Sequence, residues 1–135
     1  MNMWLVKSEP DVYSWDTFVA EKGSAWTGVR NNQARLNLLA MKVGDRVLYY
    51  HSGDAKEVVG IAEVSREGYQ DPTAEDPRWI CVDLIPIQKL PTAVPLKAFR
   101  ADAVLADSLL VRHTRLSVMP IDDAVYTRAL GLGGI

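Results

Sequence analysis

Short apolar runs recur along the chain, each bounded by polar residues, glycine or proline. They predict five strands, at residues 2–7, 47–50, 58–64, 79–87 and 116–119. The polar turn His51-Ser52-Gly53-Asp54 between the second and third runs is typical of a hairpin, and Pro120 is expected to end the last strand. Strands that are apolar on both faces, with helices interrupting them, favour an α+β fold with a small curved or closed sheet and helices packed outside it.

Apolar residues at spacings of three and four predict the helices that separate these strands. The predicted helices lie between Ser14 and Gly23, over Gln33–Met41, over Leu96–Ala101, and from Asp122 to Gly131. Ser14 and Asn31 are placed to cap the first two, because their side-chain oxygens can accept hydrogen bonds from the free N–H groups of a first helical turn. Residues 68–77 carry two prolines and several acids without an apolar period, which predicts a surface loop.

The size and charge of the chain narrow the classes of protein it can belong to. Its 135 residues, 48% of them hydrophobic, are enough for one compact core, and no linker or repeat divides them. We therefore predict a single domain over residues 1–135. The chain has 15 lysines and arginines and 17 aspartates and glutamates, so its formal charge is -2. No global positive field therefore draws the protein to polyanions. Any contact with nucleic acid must come from a local basic patch.

The sequence carries no sign of export or of membrane insertion. The opening apolar run stops at Lys7, before it reaches the length of a secretory core, and no window approaches the length of a membrane span. The single cysteine, Cys81, has no partner for an internal disulfide. We therefore expect a soluble protein of the cytoplasm, with no membrane partner.

Residues suited to catalysis or metal binding are sparse. Ser52 follows His51 with Asp54 nearby, but adjacent residues on a tight turn rarely let an imidazole reach the neighbouring hydroxyl. Two histidines, His51 and His113, do not make a zinc site without readable ligand spacing. The C-terminal glycines follow a helix instead of opening one, so they do not form a phosphate-binding loop. The residues therefore predict no catalytic constellation, no metal and no cofactor.

Aromatic and polar residues fall together at strand ends and before a helix. The aromatic members are Trp26, Tyr49, Tyr50 and Trp79, and the polar members are Lys7, Ser8, Arg30, Asn31, His51 and Ser52. Flat faces combined with donors and acceptors suit a planar polar ligand. Core tryptophans surrounded by helix caps and solvated edges would produce the same pattern. The spacing does not decide between these two interpretations.

Four segments of the chain resemble the EVE domain. They are Trp4-Leu5-Val6-Lys7-Ser8-Glu9-Pro10, Trp26-Thr27-Gly28-Val29-Arg30-Asn31, the stretch from Gly44-Asp45 to Tyr49-Tyr50-His51-Ser52, and Arg115-Leu116-Ser117-Val118-Met119-Pro120. The segments follow the order that they have in that family and span nearly the whole chain. The resemblance implies a PUA-like fold, which is a small, mostly antiparallel β-barrel with peripheral helices, related to the YTH and ASCH domains.

The same resemblance implies a module that binds nucleic acid by reading a modified base, chiefly 5-methylcytosine or its oxidised forms in DNA. By matching motif, it implies a ligand pocket beside the barrel that is lined by Lys7, Ser8, Trp26, Arg30, Asn31, Tyr50, His51 and Ser52. Trp79 and Arg112 lie outside the tightest matches and are added as candidates. Trp26 is the expected stacking platform.

A base paired in a duplex hides its faces, so such a pocket must take an unpaired nucleotide or one flipped out of the stack. The cations expected to form a local rim for phosphates are Lys7, Arg30, Arg35, Lys42 and Arg112. Three alternatives stay open: a reader of modified bases in RNA, an enzyme or binder of a small nucleotide-like ligand that acts through His51, and a module whose aromatic residues face a protein partner. The main hypothesis requires Trp26 and residues 50–52 to converge on one hollow.

Overall fold

The computed structural model describes residues 1–135, which form one six-stranded sheet with helices packed against it. The strands are β1 (Met3–Ser8), β2 (Ser24–Ala25), β3 (Arg46–His51), β4 (Glu57–Gln70), β5 (Ile80–Pro95) and β6 (Val118–Ile121). The helices are α1 (Trp15–Ala20), α2 (Asn32–Ala40), α3 (Leu96–Ala101), α4 (Leu109–Arg112) and α5 (Asp123–Leu132), with a short 3-10 helix at Leu105–Asp107. None of these helices combines the length and the apolar character that crossing a membrane requires.

The sheet has the strand order β2-β5-β4-β3-β1-β6, and its hydrogen-bonded ladder stays open between β2 and β6. Strands β1 and β3 run parallel, and the other pairs are antiparallel. The predicted α+β class and the mostly antiparallel sheet that the resemblance implies are therefore confirmed, although the sheet does not close into the expected β-barrel. The β1–β3 register pairs Lys7 with Tyr50 and Ser8 with His51, so the C-terminal ends of these two strands lie side by side.

Both predicted helix caps are confirmed. The Ser14 side chain accepts a hydrogen bond from the Thr17 N–H at 3.1 Å, and the Asn31 side chain accepts one from the Ala34 N–H at 2.9 Å. Helix α3 has the predicted bounds, and α2 begins and ends within one residue of its prediction. These features depend on capping and on periodicity over a few neighbouring residues, which the sequence displays directly.

The loop predicted at residues 68–77 is wrong over its first three residues. Tyr69 pairs with Cys81 and Gln70 pairs with Ile80, so the β4–β5 ladder continues to the end of β4. Most of this end of β4 is exposed. An exposed strand end has no apolar face to bury, and hence it shows no alternation in the sequence.

Prolines lie within two strands whose bounds differ from the prediction. Strand β5 continues past the predicted 79–87 to Pro95, and the register against β4 shifts near Gly60, which leaves Pro91 outside the ladder. Strand β6 contains Pro120, contrary to the prediction that this residue ends it. β6 is an edge strand and Pro120 is exposed, so the missing N–H leaves no ladder bond unmade.

Aromatic side chains occupy the part of the core that lies behind the candidate site. Tyr49, on β3, is fully buried, and its ring centroid lies 5.3 Å from those of Trp15 and Phe18 and 5.4 Å from that of Trp26. The Tyr49 hydroxyl donates to the Tyr13 carbonyl oxygen at 2.7 Å, and burial raises the pKa of this hydroxyl. These contacts join β3, α1 and the segment after β2, and they hold Trp26 in place.

Candidate functional site

The parallel pairing of β1 and β3 brings two of the sequence-predicted segments together. The Ser52 N–H donates to the Ser8 carbonyl oxygen at 3.0 Å, so the turns that follow the two strands are joined. On the other side of β1, the Lys7 N–H donates to the Ser117 carbonyl oxygen, also at 3.0 Å. Lys7 therefore lies between two neighbouring segments, and it lines two hollows.

The first of these, the Trp26 hollow, has a volume of about 380 Å³. It is lined by Lys7, Ser8, Val12, Tyr13, Ser24, Ala25, Trp26, Thr27, Gly28, Val29 and Ser117. Two aromatic residues, a lysine and several hydroxyl-bearing residues thus share one concave wall. Concave sites of about 300–1,000 Å³ with a few convergent polar groups are the usual form of small-ligand sites. The Trp26 hollow has the size and the chemistry to hold a planar polar group.

Trp26 forms part of the wall of this hollow and does not present an open face. The residue is only 7% exposed, and its ring is held edge-on by Tyr13 and Phe18 at centroid distances of 6.2 and 6.5 Å. Tyr13 is half-buried and supplies the second ring of the hollow. Its hydroxyl donates to the Glu21 carboxylate at 2.6 Å. Burial raises the pKa of Tyr13, and the hydrogen bond to Glu21 raises it further. The stacking role of Trp26 stays a prediction, with only a small part of the indole accessible for it.

A buried carboxylate holds the backbone segment that follows Trp26. Asp71 is fully buried, accepts a hydrogen bond from the Gly28 N–H at 2.8 Å and pairs with the Arg30 guanidinium at 3.0 Å. It also accepts from the Thr73 N–H at 2.7 Å and from the Thr73 hydroxyl at 2.6 Å. Burial by itself would raise the pKa of Asp71, but these hydrogen bonds lower it to about 2. Arg30 thus anchors the segment through Asp71 and is not part of the lining of the hollow.

Three further candidates lie outside the lining of the Trp26 hollow. Asn31 is the cap of α2, and Arg112 is an exposed residue at the end of α4. The Trp79 ring centroid lies 5.8 Å from the guanidinium carbon of Arg30, the residue that pairs with Asp71. The ligand-binding roles of these residues stay predictions.

The second hollow, the basic hollow, also has a volume of about 380 Å³. It is lined by Lys7, Tyr50, Ser52, Gly53, Lys56, Leu96, Arg100, Leu110 and Thr114. Tyr50 and Ser52, the candidates from the end of β3, thus lie in a different hollow from Trp26. The required convergence of Trp26 and residues 50–52 on one hollow is therefore wrong, and Lys7 is the one residue that lines both.

His51 faces the start of α1. Its Nε2 accepts a hydrogen bond from the Trp15 N–H at 3.0 Å, and its ring lies edge-on to Tyr49 at a centroid distance of 5.7 Å. Burial lowers the pKa of His51, and the carboxylates of Glu57 and Asp16 partly oppose this shift. The neutral imidazole therefore acts as an acceptor that positions α1, and its contact with a ligand stays a prediction.

The cations predicted to form one phosphate-binding rim do not share one edge. The Asp45 carboxylate accepts hydrogen bonds from the N–H groups of Lys42 and Asn2, so Lys42 lies at the N-terminal end of β1, opposite Lys7. The Lys42 ammonium also lies 3.8 Å from the Glu67 carboxylate. The prediction of a single rim is wrong for Lys42, because the topology separates it from the end of the sheet where the two hollows lie.

Sequence reasoning missed residues of both hollows. Tyr13 and Ser117 line the Trp26 hollow, whereas Lys56 and Arg100 line the basic hollow. Ser117 lies in one of the four segments that resemble the EVE domain, so the resemblance could have indicated it as a lining residue. The other three carry no local signal, since only contacts between distant parts of the chain bring them to the hollows.

Comparison with known proteins identifies the class of this α+β domain. A model of the EVE domain matches residues 2–131, which include the whole sheet and both hollows. The chain therefore belongs to the EVE domain family, and the resemblance of its four segments is confirmed.

Similar proteins come from bacteria and from vertebrates. The structure of Rpa0253 from Rhodopseudomonas palustris is 48% identical with a TM-score of 0.94, covering 99% of this chain and 94% of that chain. Thymocyte nuclear protein 1 of Gallus gallus is 31% identical over 164 residues, which cover 96% of this chain and 67% of that protein. The human THYN1 protein, solved in complex with DNA that contains 5-methylcytosine, is 26% identical with a TM-score of 0.92 over 100% of this chain and 99% of that chain.

Proposed function

We propose that this protein is a DNA-binding module that reads 5-methylcytosine or its oxidised forms by taking an unpaired or flipped base into the Trp26 hollow. Membership of the EVE domain family and the likeness to the human protein solved with 5-methylcytosine-containing DNA support the choice of ligand. The choice of site depends on the Trp26 hollow itself, a concavity of about 380 Å³ that is lined by two aromatic residues and several polar ones.

Base extrusion sets the free energy that the hollow must offset. Taking a base out of a duplex costs a few kcal/mol, whereas stacking on an aromatic side chain contributes about 1–3 kcal/mol per base. The Trp26 ring is only 7% exposed, so an entering base stacks chiefly on Tyr13, whose ring lies at 73° to that of Trp26. The stacking contribution and the cost of extrusion are therefore similar in size. Single strands and mismatched positions, which avoid most of that cost, should bind more tightly than perfect duplexes.

The modification itself contributes a small increment. Burying one methyl group stabilises the complex by about 0.8 kcal/mol, or about fourfold in affinity. The hydroxyls of Ser8 and Ser117 offer donors and acceptors to the polar edge of a base. In this mechanism the polar groups read the identity of the base, and the apolar part of the wall reads the methyl group.

An enzymatic role that acts through His51 has no support from the geometry. Nε2 of His51 already accepts a hydrogen bond from the Trp15 N–H. A general base must be free to reach the proton that it removes, so His51 would first have to release the start of α1. Binding is the function that the arrangement supports best.

The test is a titration of short fluorescent DNA strands that carry cytosine, 5-methylcytosine or 5-hydroxymethylcytosine at one unpaired position. We expect the wild type to bind the methylated strand about fourfold more tightly than the unmodified one. Ser117→Leu places a branched side chain in the hollow and leaves Trp26 in the core. We expect this variant to bind roughly tenfold more weakly, as for the removal of one stacking interaction, and to show no preference for the methyl group.

Ser65→Leu is the matched control, because Ser65 is exposed on β4 and does not line the Trp26 hollow. Urea unfolding verifies that both variants are folded. Equal, weak binding of every strand by the wild type and by Ser117→Leu would reject the proposal. A stronger preference for the same modified base in an RNA strand would assign the hollow to RNA instead of DNA.

A further inference from the structure

Three cations line the basic hollow without an acidic partner. Lys7, Lys56 and Arg100 are among its nine lining residues, none of which is an aspartate or a glutamate. The five ion pairs of the structure involve none of the three. Like charges that converge on a concave surface repel one another, and an anion bound between them removes that repulsion.

The fold brings these cations together through contacts between distant segments. The Lys56 carbonyl oxygen accepts a hydrogen bond from the Leu96 N–H at 2.8 Å, which joins the turn before β4 to the first residue of α3. Arg100 comes four residues after Leu96 and therefore lies on the same helix face. The Lys7 ammonium donates to the carbonyl oxygen of Thr114, another lining residue, at 2.9 Å, which holds it in the hollow. The cations thus reach the hollow from three separate parts of the chain.

Hydroxyl groups complete the lining. Ser52 and Tyr50 contribute one each, and Arg100 lies close enough to Tyr50 to oppose the effect of burial, which raises the pKa of that phenol. Glu9 approaches the turn at Gly53, where its Cγ lies 3.8 Å from the position of a Cβ, but it is not part of the lining. Phosphate oxygens accept short, charge-assisted hydrogen bonds from groups of this kind.

We propose that the basic hollow binds a backbone phosphate of the same nucleic-acid strand whose base enters the Trp26 hollow. The inference rests on the proposed function for the source of the phosphate. Because Lys7 lines both hollows, the phosphate belongs to the extruded nucleotide or to its immediate neighbour. The basic hollow supplies affinity that does not depend on the base, and the Trp26 hollow supplies the discrimination.

The variants Lys56→Gln and Arg100→Gln, single and combined, remove charge without changing the Trp26 hollow. Their binding to single-stranded DNA is measured across a KCl titration. We expect roughly tenfold weaker binding for Arg100→Gln, as for the removal of one charge-assisted hydrogen bond. The slope of log K against log salt should become shallower by about 0.7 for each phosphate that the variant no longer neutralises. Lys97→Gln is the matched control, since Lys97 is exposed on α3 and outside the hollow.

A second measurement identifies the phosphate. In a series of strands, each phosphate in turn is replaced by a neutral methylphosphonate. We expect one linkage, next to the modified base, at which neutralisation weakens binding by the wild type but not by the combined Lys56→Gln and Arg100→Gln variant. The proposal is overturned if no such linkage exists, or if Lys97→Gln weakens binding as much as Arg100→Gln does.

The phosphate site and the proposed base reader fail in distinguishable ways. If the wild type shows no preference for 5-methylcytosine but Arg100→Gln still lowers the salt slope, the phosphate site stands and base reading is rejected. If the preference is present and the charge variants leave affinity and slope unchanged, base reading stands and the phosphate site is rejected.

Discussion

At the scale of single residues, Gly60 shows how closely the backbone and an aromatic ring approach each other in this core. A Cβ on Gly60 would lie 2.6 Å from the Cη2 and Cζ2 atoms of Trp15, closer than non-bonded carbon atoms pack. Only glycine leaves room for this indole, which in turn packs edge-on against Tyr49 and Phe18. The packing of Trp15 behind the Trp26 hollow therefore depends on the absence of a side chain at Gly60.

Gly60→Ala is expected to lower the free energy of unfolding by about 1–3 kcal/mol, because the added methyl group must displace the Trp15 ring. Urea unfolding followed by tryptophan fluorescence measures this change. Gly131→Ala is the matched control: apart from the adjacent backbone of its own helix, no atom lies within 4 Å of its Cβ position, and alanine is favoured over glycine in a helix by up to about 1 kcal/mol. Equal effects of the two substitutions would contradict the packing argument.

The charge of Asp71 holds the backbone segment that follows Trp26. Asp71→Asn is expected to lower the free energy of unfolding by about 1–3 kcal/mol at neutral pH, because a neutral amide cannot form the charge-assisted bond to Arg30. The folded pKa of about 2 lies below the usual 3.8, so the ionised carboxylate contributes about 2 kcal/mol above about pH 4, and this is lost as the pH falls toward 2. Urea unfolding across this acid range measures both effects.

The control for this prediction is Asp76→Asn. Asp76 pairs with Arg78 at 2.9 Å, but the two side chains are 45% and 57% exposed, and exposed ion pairs contribute less than about 1 kcal/mol. An Asp71→Asn protein that is as stable as Asp76→Asn at neutral pH, with the acid dependence of the wild type, would show that Asp71 does not anchor the segment.

At the scale of elements, the first turn of α1 depends on two acceptors of different origin. The N–H groups of a first turn have no partner within their own helix. The Ser14 side chain accepts a hydrogen bond from the Thr17 N–H within the same segment. His51, on β3 and 36 residues after Trp15, accepts one from the Trp15 N–H. Strand β3 therefore positions α1, and α1 contributes Phe18 to the packing around the Trp26 hollow.

This arrangement predicts a dependence of stability on pH. Because the folded pKa of His51 is lowered by burial from its usual 6.5, the stability contributed by the neutral form is present above that value and is lost as the pH falls below it. Protonation would also set an N–H of the ring against the Trp15 N–H. His51→Gln keeps an acceptor that does not titrate, so we expect it to lose less free energy of unfolding than the wild type between about pH 7.5 and about pH 5.5.

His113→Gln is the control for the histidine prediction, since His113 is exposed. It is expected to follow the wild type over the same pH range. An identical pH dependence in the wild type and in His51→Gln would mean that the contact with α1 does not sense the charge of the imidazole.

At the scale of the whole molecule, the sheet order decides where the functional groups meet. Strand β1 lies between β3 and β6, so its last residues are flanked on both sides, and Lys7 near its end lines both hollows. The net charge of the chain is -2, yet Lys56 and Arg100 join Lys7 in one concavity. A slightly acidic protein can therefore present a local cationic site, and the salt dependence of binding will reflect that site and not the net charge.

Much of the fold could be predicted because many of its signals are local. The caps at Ser14 and Asn31 and the bounds of α3 follow from residues within one or two turns of each other. Strand β2 has two residues, too few to display a period, and the far end of β4 is exposed. These parts form because a partner strand is in place, so the sequence could not reveal them.

The sequence by itself determined the family, the α+β class, the helix caps and a set of aromatic and polar residues suited to a planar ligand. Only the tertiary structure decided how that set is divided: Trp26 lies in one hollow, Tyr50 and Ser52 lie in another, and Arg30 is tied to Asp71. The physical reason is the range of the interactions. Periodicity and capping act between near neighbours, whereas the lining of a hollow and the burial of a charge depend on strands and turns that are distant in sequence and adjacent only after folding.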